Sequence, residues 1–267
     1  MIEGTETIIT FRSYYGDGAV RGTRDVAREV PVAIEINGVA FAVMMATPCN
    51  LDDFVTGFIL SEGLAEVQEV GPVMLHPVRD GEGIVARIIL PEHRLGPIME
   101  RARRRLGDSS CGICGLESVD MALRPLPPLP PAALPAAPAI ARALRSLREG
   151  QELGRATGAT HAAAFCDRDG GIGVLREDVG RHNALDKVIG ALARGGIDPA
   201  QGFLLVTSRA SYELVEKTVR ARCPLLVAIS APTDLAVRSA KAAGLALAVV
   251  ARDDSMLWVS GPAVDAG

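Results

Sequence analysis

The chain has 267 residues, 48% of them hydrophobic and 22% charged, a globular balance long enough to bury one large core or two modest ones. With 28 Lys and Arg against 32 Asp and Glu, the net charge of −4 removes any general drive toward nucleic acid or anionic membranes. The first six residues carry no basic or apolar leader pattern and no apolar run reaches the length of a membrane span, so a soluble cytoplasmic protein is expected.

Residues 5–15 are rich in β-branched and aromatic types and predict a strand, whereas the Gly-, Asp- and Arg-rich residues 16–25 predict a loop. Residues 30–36 and 39–45 flank Asn37-Gly38 and predict a β-hairpin turned at that dipeptide. Asp52 and Asp53 suit the positive end of a helix, and Phe54, Val55, Phe58, Ile59 and Leu64 follow at helical spacing. Residues 73–78 and 84–90 predict two more strands, and residues 95–106 a helix whose last turns hold four arginines. After one or two helical turns at 116–123, seven prolines between Pro125 and Pro138 exclude regular helix or central strand. That run predicts a stiff linker, residues 124–138, between an N-terminal domain, residues 1–123, and a C-terminal domain, residues 139–267.

The second half alternates between helix and strand. Helices are predicted at 140–153, 180–192, 211–222 and 233–243, and strands at 160–166, 172–176, 203–207, 225–229, 245–250 and 256–259. The alternation implies an α/β fold with a parallel sheet, right-handed crossovers and helices on both faces. Such sheets bind ligands at the carboxyl ends of their strands, which directs attention to residues 207–211, 230–233 and 252–255.

The most reactive stretch is Ser109-Ser110-Cys111-Gly112-Ile113-Cys114-Gly115, where small residues leave two thiols reachable beside the basic run 101–105. The Cys111/Cys114 pair admits four readings: a zinc half-site, a thioredoxin-like redox pair, a structural pair, or a thiol that carries sulfur as a persulfide. Zinc lacks a second ligand pair, and the redox motif lacks its strand–helix context. Cys49, Cys166 and Cys223 lie in apolar or turn settings and are expected to be inert, and five cysteines do not form a disulfide scaffold in a chain this long.

Beyond the linker, Thr160-His161-Ala162-Ala163 resembles the His-x-Glu of zinc deaminases but lacks the Glu, so His161 is either a strand histidine or a ligand contact, with no metal assigned. The run Arg176-Glu177-Asp178-Val179-Gly180-Arg181-His182-Asn183 sets Arg181, His182 and Asn183 at a helix start, where Asp178 caps or an anion binds. Arg209 and Ser211 follow a buried strand, and Ser230 and Thr233 hold the equivalent place one crossover later. Their hydroxyls either cap helices or meet a phosphate or nucleotide.

Taken together these stretches resemble the FdhD/NarQ family, the formate dehydrogenase accessory sulfurtransferases. The resemblance rests on 109–115, 160–163, Arg176 to Lys187, Ser208-Arg209-Ala210-Ser211-Tyr212-Glu213 and 230–233, all in order. It implies a C-terminal three-layer αβα domain resembling the cytidine-deaminase fold without its zinc site, a smaller, mostly β N-terminal α+β domain, and a homodimer. It implies that a cysteine desulfurase donates sulfur to Cys111, with Cys114 as its partner. The sulfur then passes to the molybdenum or tungsten bis-molybdopterin guanine dinucleotide cofactor, which serves the formate dehydrogenase catalytic subunit. That cofactor is cargo, and no metal of the protein's own is implied. The implied cofactor contacts include Val250, Ala251, Arg252, Asp253, Asp254 and Ser255, although Val250 and Asp254 stand where the family often has an aromatic and a glycine. The alternative is a delivery chaperone that holds the same cofactor without sulfur chemistry.

Overall fold

The computed structural model describes residues 2–14, 17–107 and 125–261. Its first half opens with a two-stranded antiparallel ribbon, β1 (Thr5–Tyr14) and β2 (Asp17–Ala27). Where a loop is expected at 16–25, the chain from Asp17 onward is therefore a strand. Its composition is poor for a strand, but continuous pairing from Thr5↔Ala27 to Arg12↔Val20 satisfies its backbone.

Four further strands make a sheet in the order β4-β3-β6-β5, from β3 (Val30–Ile36), β4 (Val39–Ala46), β5 (Met74–Val78) and β6 (Gly83–Ile88). The hairpin turns at Asn37 and Gly38, both left-handed with φ of 49° and 80°, as a primed turn requires. Helix α1 (Leu51–Ser61) lies on this sheet and buries Phe54, Val55, Phe58 and Ile59 against Val32, Ile34, Ile36 and Ile88. Each such side chain contributes roughly 1.5–3 kcal/mol of burial. Helix α2 (Glu92–Gly107) starts three residues earlier than the spacing predicts and admits Pro97 within it. The expected turns at 116–123 lie outside the described residues.

Residues 125–136 form neither helix nor strand, and they lie against the second half: Leu129 N–H donates to Ala243 O (2.8 Å), and Leu126 and Leu129 pack on its core. Helix α3 (Ala137–Gly150) begins before the last proline, because Pro138 falls in the first turn, where its missing N–H costs no helical bond. The helix expected at 140–153 is two helices, since the chain leaves helical geometry at Gln151 before α4 (Glu152–Thr157).

The second sheet runs β12-β11-β10-β9-β7-β8. Its strands are β7 (His161–Asp167), β8 (Ile172–Asp178), β9 (Gly202–Val206), β10 (Leu225–Ala228), β11 (Ala246–Val249) and β12 (Leu257–Ser260). It is mixed rather than parallel. Only β9, β10 and β11, which helices connect, pair in parallel; β8 shares their direction but the antiparallel β7 separates it from β9. The β7–β8 hairpin and β12 are antiparallel additions at its two sides. Helices α5 (Arg181–Arg194), α6 (Tyr212–Arg220) and α7 (Asp234–Ala243) cover one face, and α3 covers the other through Ile140, Leu144 and Leu147. This is the expected three-layer αβα arrangement.

The two halves meet along α1 and α5. A Cβ added at Gly57 would sit 1.7 Å from Asp186 O, and one at Gly190 would sit 1.9 Å from Asp53 O. Only glycine permits that approach. Around it lie buried polar links. Lys187 Nζ is 2.6 Å from Asp178 Oδ2 and donates to Thr47 O at 3.0 Å. Lys217 Nζ is 2.9 Å from Asp186 Oδ2 and donates to Ser61 Oγ at 2.9 Å. Arg176 and Arg194 both pair with Asp53.

Candidate functional site

The carboxyl ends of β9, β10 and β11 emerge side by side, as three parallel strands in register must. Their following loops are stitched together by backbone hydrogen bonds. Ala210 N–H donates to Ala231 O (3.2 Å), Thr233 N–H to Ala210 O (2.9 Å), and Val250 N–H to Ser230 O (3.2 Å). The loops 207–211, 230–233 and 250–255 therefore form one rim, with the first turns of α6 and α7 directly behind it.

Helix α5 brings a fourth segment. It starts after β8, and its first turn faces that of α6: His182 Nε2 lies 3.8 Å from Glu213 Oε2. The charges of Arg181, Lys217 and Arg209 all bear on His182, and that of Arg181 bears on His161 at the start of β7. Thus His161, Arg181, His182, Arg209 and Ser211 share one end of the sheet. Burial pulls the His182 pKa down to about 4, with Arg181 pushing the same way and Glu213 opposing. Burial also lowers that of His161, again helped by Arg181. Both imidazoles are held neutral at physiological pH.

Several polar atoms at this end have no internal partner. Arg181 Nε and His182 Nε2 are buried and make no hydrogen bond, whereas the Ser211 hydroxyl lies against the Glu213 carboxylate and helps to hold its pKa below the usual carboxylate value against the opposing effect of burial. Ser211 stands at the N-cap of α6 but does not cap it. Arg209 is exposed and forms no ion pair among the described residues. Thr233, in contrast, does cap its helix, accepting from Ala236 N–H at 3.3 Å, and Ser230 is exposed.

In the last loop Val250 has φ +50°, a left-handed backbone that a β-branched residue adopts at a cost of roughly 1–3 kcal/mol. The surrounding bonds impose it: Val250 and Ala251 N–H reach Ser230 O and Ala228 O, and Arg252 N–H reaches Ser255 O at 2.7 Å. The Arg252 guanidinium lies along the carbonyls of Ile229 and Ala251. Asp253 Oδ2 pairs with Arg148 of α3 at 2.9 Å, while Oδ1 is buried without a partner. Asp254 and Ser255 are exposed and bond each other.

Two of the sequence-based assignments take on other work. Asn183 is 3% exposed and its amide donates to Met45 O (2.8 Å) and Asp178 Oδ1 (3.0 Å), so it ties the halves together. Asp178 ends β8 and pairs with Lys187, while the N-cap of α5 is Gly180. Sequence reasoning passed over Lys187, Asp186 and Lys217 as ionic groups. Their one visible signal was charge at positions of α5 and α6 that otherwise belong to the buried stripe. Cys111 and Cys114 lie outside the described residues. Among the described residues, no three His, Cys, Asp or Glu gather as a metal would need, and no helix is long and apolar enough to cross a membrane.

The whole arrangement has a solved counterpart. A crystal structure of a candidate formate dehydrogenase accessory protein from Desulfotalea psychrophila superposes with a TM-score of 0.76, covering 97% of each chain at 23% identity, which establishes a shared fold. Sequence relatives are nearer. The sulfur carrier protein FdhD of Xanthomonas euvesicatoria pv. vesicatoria is 46% identical over 254 residues, 95% of this chain and 90% of that protein. Proteins of the same name from Xanthomonas oryzae pv. oryzae and Variovorax paradoxus are 48% and 47% identical, each across 89% of this chain and 84% and 85% of their own lengths. The FdhD/NarQ family model matches residues 27–263, and the chain belongs to the FdhD/NarQ family.

Proposed function

We propose that this protein is a sulfur carrier for formate dehydrogenase, working in the cytoplasm as a homodimer. Cys111, with Cys114 beside it, accepts sulfur from a cysteine desulfurase. The Cys111 thiolate attacks the outer sulfur of the desulfurase persulfide, forms a new S–S bond, and releases the desulfurase cysteine as thiolate. The acceptor is a molybdenum or tungsten bis-molybdopterin guanine dinucleotide, a substrate destined for the formate dehydrogenase catalytic subunit.

The observation that carries this reading is the intact Ser109-to-Gly115 cysteine motif in a chain 46–48% identical to proteins named sulfur carriers. The strand-end rim supports the second half of the task. It gathers Arg181, Arg209, Arg252 and unpartnered donors where an α/β sheet receives a nucleotide. Val250 to Ser255, Ser230 and Thr233 line the same rim and are the proposed cofactor contacts, with His161 at its edge.

Mass spectrometry after incubation with a cysteine desulfurase and cysteine tests the carrier role. One added sulfur on Cys111 or Cys114 is expected. The other three thiols give little background, because Cys49, Cys166 and Cys223 are buried, and burial pushes the last two up to about 12. A desulfurase that turns over without leaving sulfur on either cysteine defeats the proposal. A Cys111→Ala variant that still supports active formate dehydrogenase assigns the protein to cofactor delivery instead.

A further inference from the structure

Helix α1 covers one face of the β4-β3-β6-β5 sheet, and the pairing register fixes what the other face carries. Val32, Ile34 and Ile36 point to the core, so Pro31, Ala33 and Glu35 point away from it. The same alternation runs through their register partners on β4, β6 and β5. The outer face thus has three positions on each of four strands, twelve in all. Only Glu35, Arg87 and His76 are polar among them, and Glu35 and Arg87 pair with each other at 2.7 Å. Val43 is 65% exposed, Met45 47%, Met74 44% and Val78 40%, with Ala33 and Val85 half-buried between them. The surface is continuous: a Cβ added at Gly83 would lie 3.3 Å from Val78 and 3.5 Å from Pro31, whose side chains close over it. A sheet face left in water is ordinarily polar, and a contiguous apolar one marks an interaction surface.

The kind of partner follows from charge, size and place. The charges of Glu35 and Arg87 cancel, so their pair gives the face no pull on nucleic acid, phosphate or an anionic membrane, and an apolar protein surface fits it. Twelve positions fall short of the roughly 20–30 residues a side that a standard stable interface uses, so a second copy seated on this face alone would bury too little for a stable dimer. The size suits a protein that docks, exchanges and leaves. The place is the half of the chain that runs into the cysteine motif. Ile88 ends β6, Glu92 begins α2, and the motif starts at Ser109 just after α2 ends at Gly107. Ile98 of α2 sits in the core shared with Ala42 and Met44 of β4, the strand whose other face presents Val43 and Met45. The strand-end rim belongs to the other sheet.

We propose that the outer face of this sheet, built around Val43, Met45, Ala33 and Val85, is the docking surface for the protein that donates sulfur to the cysteine motif, the cysteine desulfurase. The inference rests on the sulfur-carrier reading for the identity of that partner and adds where it sits. It separates the two encounters of a carrier. The donor docks on the N-terminal half, beside the helix that leads into the motif, and the acceptor is held at the rim of the second half. Donor and acceptor then do not compete for one surface. The matching patch on the desulfurase is apolar, with an acidic and a basic group placed to meet Arg87 and Glu35.

Persulfide loading of the full chain by a cysteine desulfurase and cysteine, followed against chain concentration, tests this. Val43→Lys sets an unpaired charge in the contact and should raise the KM for the chain about tenfold with kcat unchanged. Met74→Ala removes apolar contact without adding charge and should raise it about threefold. Both side chains are exposed, so the melting temperature should stay that of the parent. Loading from glutathione persulfide needs no docking, since its outer sulfur passes to the Cys111 thiolate and glutathione leaves as thiolate, and it should be unchanged in both variants. Ile9→Lys, on the exposed ribbon strand β1, should load like the parent. An unchanged KM in Val43→Lys and Met74→Ala overturns the docking face. So does a Val43→Lys chain that loses loading from glutathione persulfide equally, or one that turns a dimer into a monomer in analytical ultracentrifugation, which assigns the face to a second copy. Biolayer interferometry with immobilised desulfurase reads docking without chemistry. A desulfurase that binds the parent, binds Val43→Lys about tenfold more weakly and leaves no sulfur on either defeats the sulfur-carrier reading while the docking face stands. A desulfurase that neither binds nor labels the parent overturns both.

Discussion

The body of α5 and its first turn obey opposite rules. Along the body, every buried polar group has a partner: Asn183 with Met45 O, Asp186 with Lys217 and Ser61, Lys187 with Asp178 and Thr47. In the first turn, one and two residues earlier, Arg181 Nε and His182 Nε2 are buried with none. One helix thus closes the seam between the halves at one end and leaves bonding capacity open at the other. Satisfied buried polar groups hold a structure together, whereas unsatisfied ones cost free energy wherever they stand.

Breaking the closed end should cost most. Lys187→Met leaves the Asp178 carboxylate buried without its cation, a loss of about 3–5 kcal/mol in stability measured by urea unfolding. Lys187 is fully buried, so a loss under about 1 kcal/mol would mean that water reaches the pair. Gly57→Ala forces α1 away from the Asp186 carbonyl and should cost about 2–3 kcal/mol by the same measurement, with no help from side-chain repacking because the obstacle is backbone.

The open end should respond to acid instead. The ordinary histidine value of 6.5 is pulled to about 4 at His182. The unfolded chain therefore binds the proton first, and stability falls as pH drops from about 6.5 toward 4. His182→Gln should reduce that acid loss by about 1–2 kcal/mol, a figure discounted for the ring's partial exposure, with His161 leaving a smaller residue of the effect. An unchanged acid limb in urea titrations at pH 7 and pH 5 would show that His182 is already charged in the folded protein. The smallest effect belongs to Val250. Glycine there relieves the left-handed strain but gains unfolded-state entropy and gives up the side chain's packing on the core, so the net change should stay within about 1 kcal/mol, seen as a small change in melting temperature.

Local patterns in the chain were legible. Asn37-Gly38 marked its hairpin, because few dipeptides accept two left-handed residues in succession. The apolar stripe of α1 and the strand–helix alternation after residue 200 predicted elements to within a few residues. Composition misled where pairing decides: residues 17–27 are a strand because β1 lies beside them, and β7 runs antiparallel to β9 because no helix connects it as a crossover. The candidate site was legible as residue types at strand ends. Which of those residues were free was not. Thr233 and Asn183 looked available, yet one caps α7 and the other reaches Met45, 138 positions away in the chain.

The sequence alone determined the family, the cysteine motif and the position of the strand-end loops, because these depend on neighbours within a few residues. Tertiary structure alone decided that Gly57 and Gly190 bring two backbones into contact, that Lys187 and Asp178 are spent on each other, and that Arg181 Nε and His182 Nε2 are buried without a hydrogen bond. Pairing of a buried polar group is settled by whatever packs against it, and here both Lys187 and Asp178 also bond Thr47, more than a hundred residues away in the chain.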